Sequence, residues 1–248
     1  MGEQATAVRA KTEQAPPPML SAEDALRRLL EALQASSKPL KMTYEEFLAW
    51  AGEDTLAEWV NGEVIMVSPA SDRHQDLSDF LTSILRIYTE AHGLGAIRSA
   101  PFQVRLARSG REPDLMFIAR EHQDRLKENY LDGPADLVVE IVSPDSVGRD
   151  RGEKFYEYEE AGIPEYWLLD PQRGRAEFYQ RQGDRYHLAF EGREGEYRAL
   201  MLPGFWLRVE WLWQQPLPSP IRALAEIVGM DAALAEAFER VLTGAASS

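Results

Sequence analysis

Two short runs of this chain read as buried strands, and each carries an acid among apolar side chains. The first is Arg111-Glu112-Pro113-Asp114-Leu115-Met116-Phe117-Ile118. The second is Asp136-Leu137-Val138-Val139-Glu140-Ile141-Val142-Ser143. A carboxylate surrounded by Leu, Val and Ile is costly to bury unless a cation meets it. A divalent metal meets that need, because hard cations take carboxylate oxygens. So does the ammonium of Lys154, which follows on a helix-like segment. A fold that buries these acids must bring positive charge to them.

Strand alternation narrows the choice. Asp136, Val138, Glu140 and Val142 point one way; Leu137, Val139 and Ile141 point the other. Glu140 is therefore the candidate ligand of the second run. Asp114 meets it if the two runs lie side by side. Asp150, Lys154 and Tyr158 recur at four-residue spacing, which puts them on one face of a helix predicted from Gly148 to Ala161. Asn61-Gly62 between two strand-like runs is a strong hairpin signal. A two-residue turn there pairs Val60 with Glu63 and Glu58 with Ile65, all on one face of the ribbon. Ser71 or Asp72 opens a long helix to about Ala91, striped by His74, Leu77, Leu81, Ile84, Leu85 and Tyr88.

The remaining elements fill in a mixed α/β order. Thr43 and Glu46 make a capping box. Phe102–Leu106 alternates as a strand, with Ser109-Gly110 turning it back into Glu112–Ile118. Glu165–Asp170 is a strand, followed by an antiparallel meander over 174–181, 184–190 and 195–200. A late strand over 207–213 and a terminal helix over 221–242 complete the chain. Strands interleaved with helices predict a mixed sheet with helices on it. Residues 1–38 read as a disordered tail plus an appended helix, 39–217 as the main domain, and 218–248 as a C-terminal helix.

Composition limits the function. At 248 residues and 44% hydrophobic content, the chain suits one core domain with appendages. It has no cysteine, which excludes disulfides and thiolate metal sites. No apolar run approaches the roughly 18 residues that span a bilayer, and the polar N-terminus lacks a signal-peptide core. A cytoplasmic protein with no membrane partner is expected. The net charge of −14 argues against non-specific DNA binding by the whole surface. A local basic groove remains open through Arg98, Arg105, Arg108, Arg111, Arg149 and Arg151. Loops of the Gly-x₄-Gly-Lys-Ser/Thr, Gly-x-Gly-x-x-Gly and Gly-x-Ser-x-Gly types are absent.

Two carboxylates and a lysine are the parts that metal-assisted phosphodiester hydrolysis needs. Taken together, several segments resemble the PD-(D/E)xK nuclease superfamily and, within it, the Uma-two family of restriction-endonuclease-like proteins. They are Glu58 to Glu63, the helix opening at His74, Pro113-Asp114, Val139 to Pro144, Asp150 to Lys154, and Ala161 to Trp167. The resemblance runs from about Lys41 to Leu217. It implies a restriction-endonuclease-like central mixed β-sheet flanked by helices, with a β-hairpin and an antiparallel C-terminal extension. It implies Mg²⁺ (or Mn²⁺) on Asp114 and Glu140, with Lys154 as the catalytic amine and His74 and Glu58 assisting. DNA as substrate and a homodimer are implied as well. The superfamily's lysine sits two residues after the second acid, where this chain has Val142. Lys154 would supply that role from the following helix.

The residues leave other readings open. Asp114 has Arg111 as a possible partner. Glu140 and Lys154 can form a buried ion pair with no metal. His74 can be a core or capping residue, and Glu58 and Glu63 a solvated ribbon face. At the level of the whole chain, the rivals are a catalytically vestigial, dimeric interaction module and a small-nucleotide phosphodiesterase.

Overall fold

A computed structural model describes residues 40–52, 55–144, 146–242 and 244. The tail and helix expected over 1–38 lie outside the described residues. From Lys41 onward the chain forms one unit with two mixed six-stranded sheets. The first contains β1 (Leu40–Lys41), β2 (Ala57–Val60), β3 (Glu63–Met66), β5 (Gln103–Arg105), β6 (Ser109–Arg111) and β8 (Tyr130–Asp132). Its order is β1-β3-β2-β6-β5-β8. The second contains β4 (Gly95–Ser99), β7 (Leu115–Ala119), β9 (Leu137–Ile141), β10 (Glu165–Asp170), β11 (Arg175–Gln182) and β12 (Arg185–Gly192), in the order β12-β11-β10-β9-β7-β4. The helices are α1 (Tyr44–Trp50), α2 (Asp72–Ala91), α3 (Lys154–Ala161), α4 (Pro220–Ile227) and α5 (Ala232–Leu242). Among the described residues no helix is long and apolar enough to cross a membrane.

Local sequence explains most of the elements that frame the site. Asn61 and Gly62 both take positive φ, 50° and 88°, as the tight β2–β3 turn requires. Val60 pairs with Glu63 and Glu58 with Ile65, as the hairpin predicts. The Ser71 side chain accepts from the His74 N–H and caps α2. Leu77, Leu81, Ile84, Leu85 and Tyr88 carry α2 onto one face of the second sheet, with Leu137, Val139, Ile141 and Trp167. The opposite face packs Val138, Val142, Tyr158, Tyr166 and Leu168 with Val104 and Leu131 of the first sheet. Strand β9 is thus buried on both faces, with Glu140 on the second of them. Strands β9 and β10 are parallel, and α3 lies on the crossover between them.

Four expectations need correction. Ser109-Gly110 is not a turn. It begins β6, which pairs with both β2 and β5. Gly110 is needed there for close packing: a Cβ would lie 2.4 Å from the Tyr44 ring. The chain then crosses from the first sheet to the second through Glu112-Pro113-Asp114. The predicted meander is two strands rather than three, because β13 (Glu196–Arg198) pairs instead with β14 (Trp206–Arg208) in a separate ribbon. The late strand over 207–213 is short and passes into a 3₁₀ turn over Val209–Trp213. The terminal helix is broken where Gly229 takes φ 66°. Ala223 and Ile227 of α4 join the main core.

Candidate active site

The crossover places Asp114 at the start of β7. The β7–β9 register, Leu115 opposite Val139, sets Asp114 beside Glu140. The Asp114 Oδ2 accepts the Ile141 N–H at 2.6 Å, and its Oδ1 lies 3.2 Å from His74 Nε2. His74 reaches it from the first turn of α2. The alternative pairing of Asp114 with Arg111 is not formed. Arg111 is fully buried and donates to Glu58 at 2.9 Å and to Glu157 at 2.7 and 2.9 Å.

Glu140 receives three hydrogen bonds. Lys154 Nζ lies 3.0 Å from each of its oxygens, and the Tyr158 hydroxyl donates at 2.7 Å. The hairpin brings Glu58 to the other side of the same ammonium, at 3.1 Å. Asp150 Oδ1 is 3.5 Å away. Glu63, the other hairpin acid, turns outward to Lys41 at 3.0 Å. Lys154 is buried, and the helix before it is not regular. Arg149–Glu153 form a π-turn, and the Lys154 N–H donates to the Arg149 carbonyl five residues back. Such wide turns recur at functional sites.

The five residues singled out from sequence, Glu58, His74, Asp114, Glu140 and Lys154, therefore line one cleft of about 920 Å³. Sequence reasoning gives Arg111 no place beyond a groove or a pairing with Asp114, Tyr158 none beyond its helix face, and Glu112 none. Arg111 and Tyr158 reveal themselves only through partners about fifty and eighteen residues away. Glu112 lies between the cleft and a second cavity of about 320 Å³. Burial pushes its carboxyl up to about 7, against the Gln103 amide that donates to it.

The electrostatics follow from a surplus of buried acid. Burial raises Glu140 well above the ordinary carboxylate range; the Lys154 ammonium lowers it, while Asp150, Asp114 and Glu58 raise it further. Burial would lower Lys154, but Glu140, Glu58 and Asp150 outweigh that and hold its ammonium above the usual value. Burial likewise opposes ionisation of Glu58, yet Lys154 and Arg111 bring it below the usual value. His74 is raised: burial lowers it, and Asp114 more than compensates.

A hard divalent cation fits this donor set. The donor atoms are oxygens, the negative charge is in excess, and Asp150 Oδ1 is buried without a hydrogen-bond partner. Among the described residues no three or more His, Asp or Glu groups form a ready cage. A Mg²⁺ site needs only one or two carboxylates, with water completing the shell.

The basic groove is not formed by the arginines that suggested it. Arg105 pairs with Glu45, Arg108 with Glu160, and Arg151 with Glu177 and Asp170. Arg111 is internal, and Arg98 donates to the Ile97 carbonyl. Arg149 is the one of the six that lines the cleft.

A mixed sheet whose central strand presents an acid to a lysine from the crossover helix, beside a second acid, defines a restriction-endonuclease-like protein. Residues 44–210 match the model of the family Uma2, described as "Putative restriction endonuclease", and the chain belongs to that family. It is 28% identical over 137 residues to an uncharacterized protein of Synechocystis sp., covering 54% of this chain and 77% of that protein. Its fold matches the crystal structure of a protein from Anabaena variabilis titled a "putative nuclease". The TM-score is 0.61 at 16% identity, covering 69% of this chain and 97% of the other.

Proposed function

We propose that this chain is a divalent-metal-dependent endonuclease that hydrolyses phosphodiester bonds in DNA. Asp114 and Glu140 would hold Mg²⁺ or Mn²⁺. When bound, the ion supplies Lewis-acid polarisation of a phosphate oxygen. Lys154 keeps its proton among Glu140, Glu58 and Asp150, so it carries a fixed positive charge at the cleft floor. There it stabilises negative charge that grows on the phosphate. Tyr158 fixes the Glu140 carboxylate, and Arg111 fixes Glu58. His74 orients Asp114 through Nε2, and its Nδ1 is buried without a hydrogen-bond partner. Val142 needs no polar role, since the amine arrives from the crossover helix. The hydrolase would occupy 39–217, act in the cytoplasm and work as a homodimer.

The observation that carries this reading is the contact of Lys154 with Glu140 beside Asp114 in one cleft. The test is nicking of plasmid DNA with Mg²⁺ or Mn²⁺. Wild-type protein is expected to nick, EDTA to abolish it, and a folded Glu140→Ala/Lys154→Ala double variant to lose it. Equal activity in wild type and double variant removes the assignment.

One observation favours a second reading. The Glu140–Lys154 pair satisfies both groups without a metal, as a vestigial interaction module would have it. Calorimetry separates the two: heat from Mg²⁺ that disappears with Glu140→Gln supports the enzyme, and no heat supports the module.

A further inference from the structure

Four basic side chains line the large cleft: Arg73, His74, Arg149 and Lys154. Three are already engaged. Arg73 donates to the Leu212 carbonyl at 2.6 Å, His74 holds Asp114 at 3.2 Å, and Lys154 sits among its carboxylates at 3.0–3.1 Å. Arg149 is half-buried, and among the described residues its side chain makes no hydrogen bond or ion pair. It stands just before Asp150 and opens the π-turn of the segment that follows the carboxyl end of β9. Pro171 and Gln172, which follow the carboxyl end of β10, line the same cleft. Ligands bind where parallel strands end in this way.

The surroundings make that position matter. Glu58, Asp72, Asp79, Glu112, Asp114, Glu140 and Asp150 also line the cleft. A polyanion entering it meets more negative than positive charge. The arginines that would have tracked a long backbone are paired elsewhere. Resting on the endonuclease reading above, we propose that Arg149 is the substrate-binding cation of this cleft. Its guanidinium grips one phosphate of the substrate strand beside the bond to be cut. The preferred substrate is then a strand held through a single phosphate, not a duplex followed along its backbone. A planar guanidinium with no partner among the described residues suits two-point contact with a phosphate. Lys154 remains with its carboxylates for the chemical step.

The test uses the full chain and a short fluorescein-labelled DNA oligonucleotide with phosphorothioate linkages, in Ca²⁺, with binding followed by anisotropy across a salt series. Wild type is expected to give a log–log salt slope of about −0.7, the value for one neutralised phosphate on a single strand. Arg149→Gln should lose roughly tenfold to hundredfold in affinity, the scale of hydrogen bonds to a charged group, with the slope falling toward zero. Arg149→Lys should recover part of the affinity. Arg108→Gln, whose arginine is exposed and paired with Glu160, should bind like wild type. Melting curves of the variants confirm their folding. Unchanged binding by Arg149→Gln, or a steep wild-type slope, overturns the proposal while leaving the endonuclease reading in place. Wild type that neither binds nor nicks DNA sinks both.

Discussion

Glu140 and Glu165 lie on the neighbouring strands β9 and β10 and are both nearly sealed from solvent, at 3% and 0% exposure. They face opposite sides of the sheet and are neutralised in different ways. Glu165 sits in the main core and is met by neutral donors. Trp167 Nε1 donates at 2.8 Å, the Tyr197 hydroxyl at 2.6 Å and the Met201 N–H at 2.7 Å. Glu140 is met by an ammonium shared with Glu58 and Asp150, and it opens onto a cleft. Burial raises both acids. Only Glu140 stands among further carboxylates. A buried acid is therefore not a site in itself; a site arises where buried acids outnumber the cations beside an opening.

The largest expected difference between the two acids is in activity. Glu140→Gln should lower metal-dependent nicking by about 10²–10³, the scale of removing one charge-stabilising group. Glu165→Leu, once melting curves confirm that it is folded, should retain its rate per folded molecule. The next difference is in stability. Lys154→Met leaves Glu140 buried and unpaired and should cost about 3–5 kcal/mol in denaturant unfolding. Adding Glu140→Leu to it should restore most of that loss. Glu165→Leu strands three donors, two of them buried, and should cost on the order of 3 kcal/mol. No second substitution at a cation would rescue it.

Two smaller effects sharpen the contrast. Saturating Mg²⁺ should raise the melting temperature of wild type and of Glu165→Leu, by about 2.7 kcal/mol of stability at one hundred times Kd. It should leave Asp114→Asn/Glu140→Gln unmoved. The smallest effect is in pH. Burial raises the folded-state pKa of Glu165 above its unfolded value, so the folded state holds the proton more tightly. That contribution is fully present below the ordinary carboxylate value and is lost as pH rises through the folded value. Glu165→Leu should flatten this part of the stability profile.

Much of this was legible in the sequence because it rests on local rules. Asn61-Gly62 set the hairpin register, and alternation put Glu140 with Val138 and Val142. Asp114 is expected beside it only if the two runs pair, and the β7–β9 register supplies that pairing. What escaped was decided by contacts distant in sequence. Arg111 is held by Glu58 and Glu157, which lie on a hairpin and a helix on either side of it in the chain. Gly110 reads as a turn residue until Tyr44 is seen packed against it. The π-turn before Lys154 carries no period of its own, since Asp150, Lys154 and Tyr158 look regular at four-residue spacing. The arginines looked like a groove only because their acidic partners could not be placed.

The most direct measurement is a crystal of the full chain soaked in Mn²⁺ and recorded at the manganese edge. Anomalous density within bonding distance of Asp114 and Glu140, with Lys154 still against Glu140, is the predicted result. Density absent from that cleft, at a Mn²⁺ concentration that supports nicking, would contradict the account.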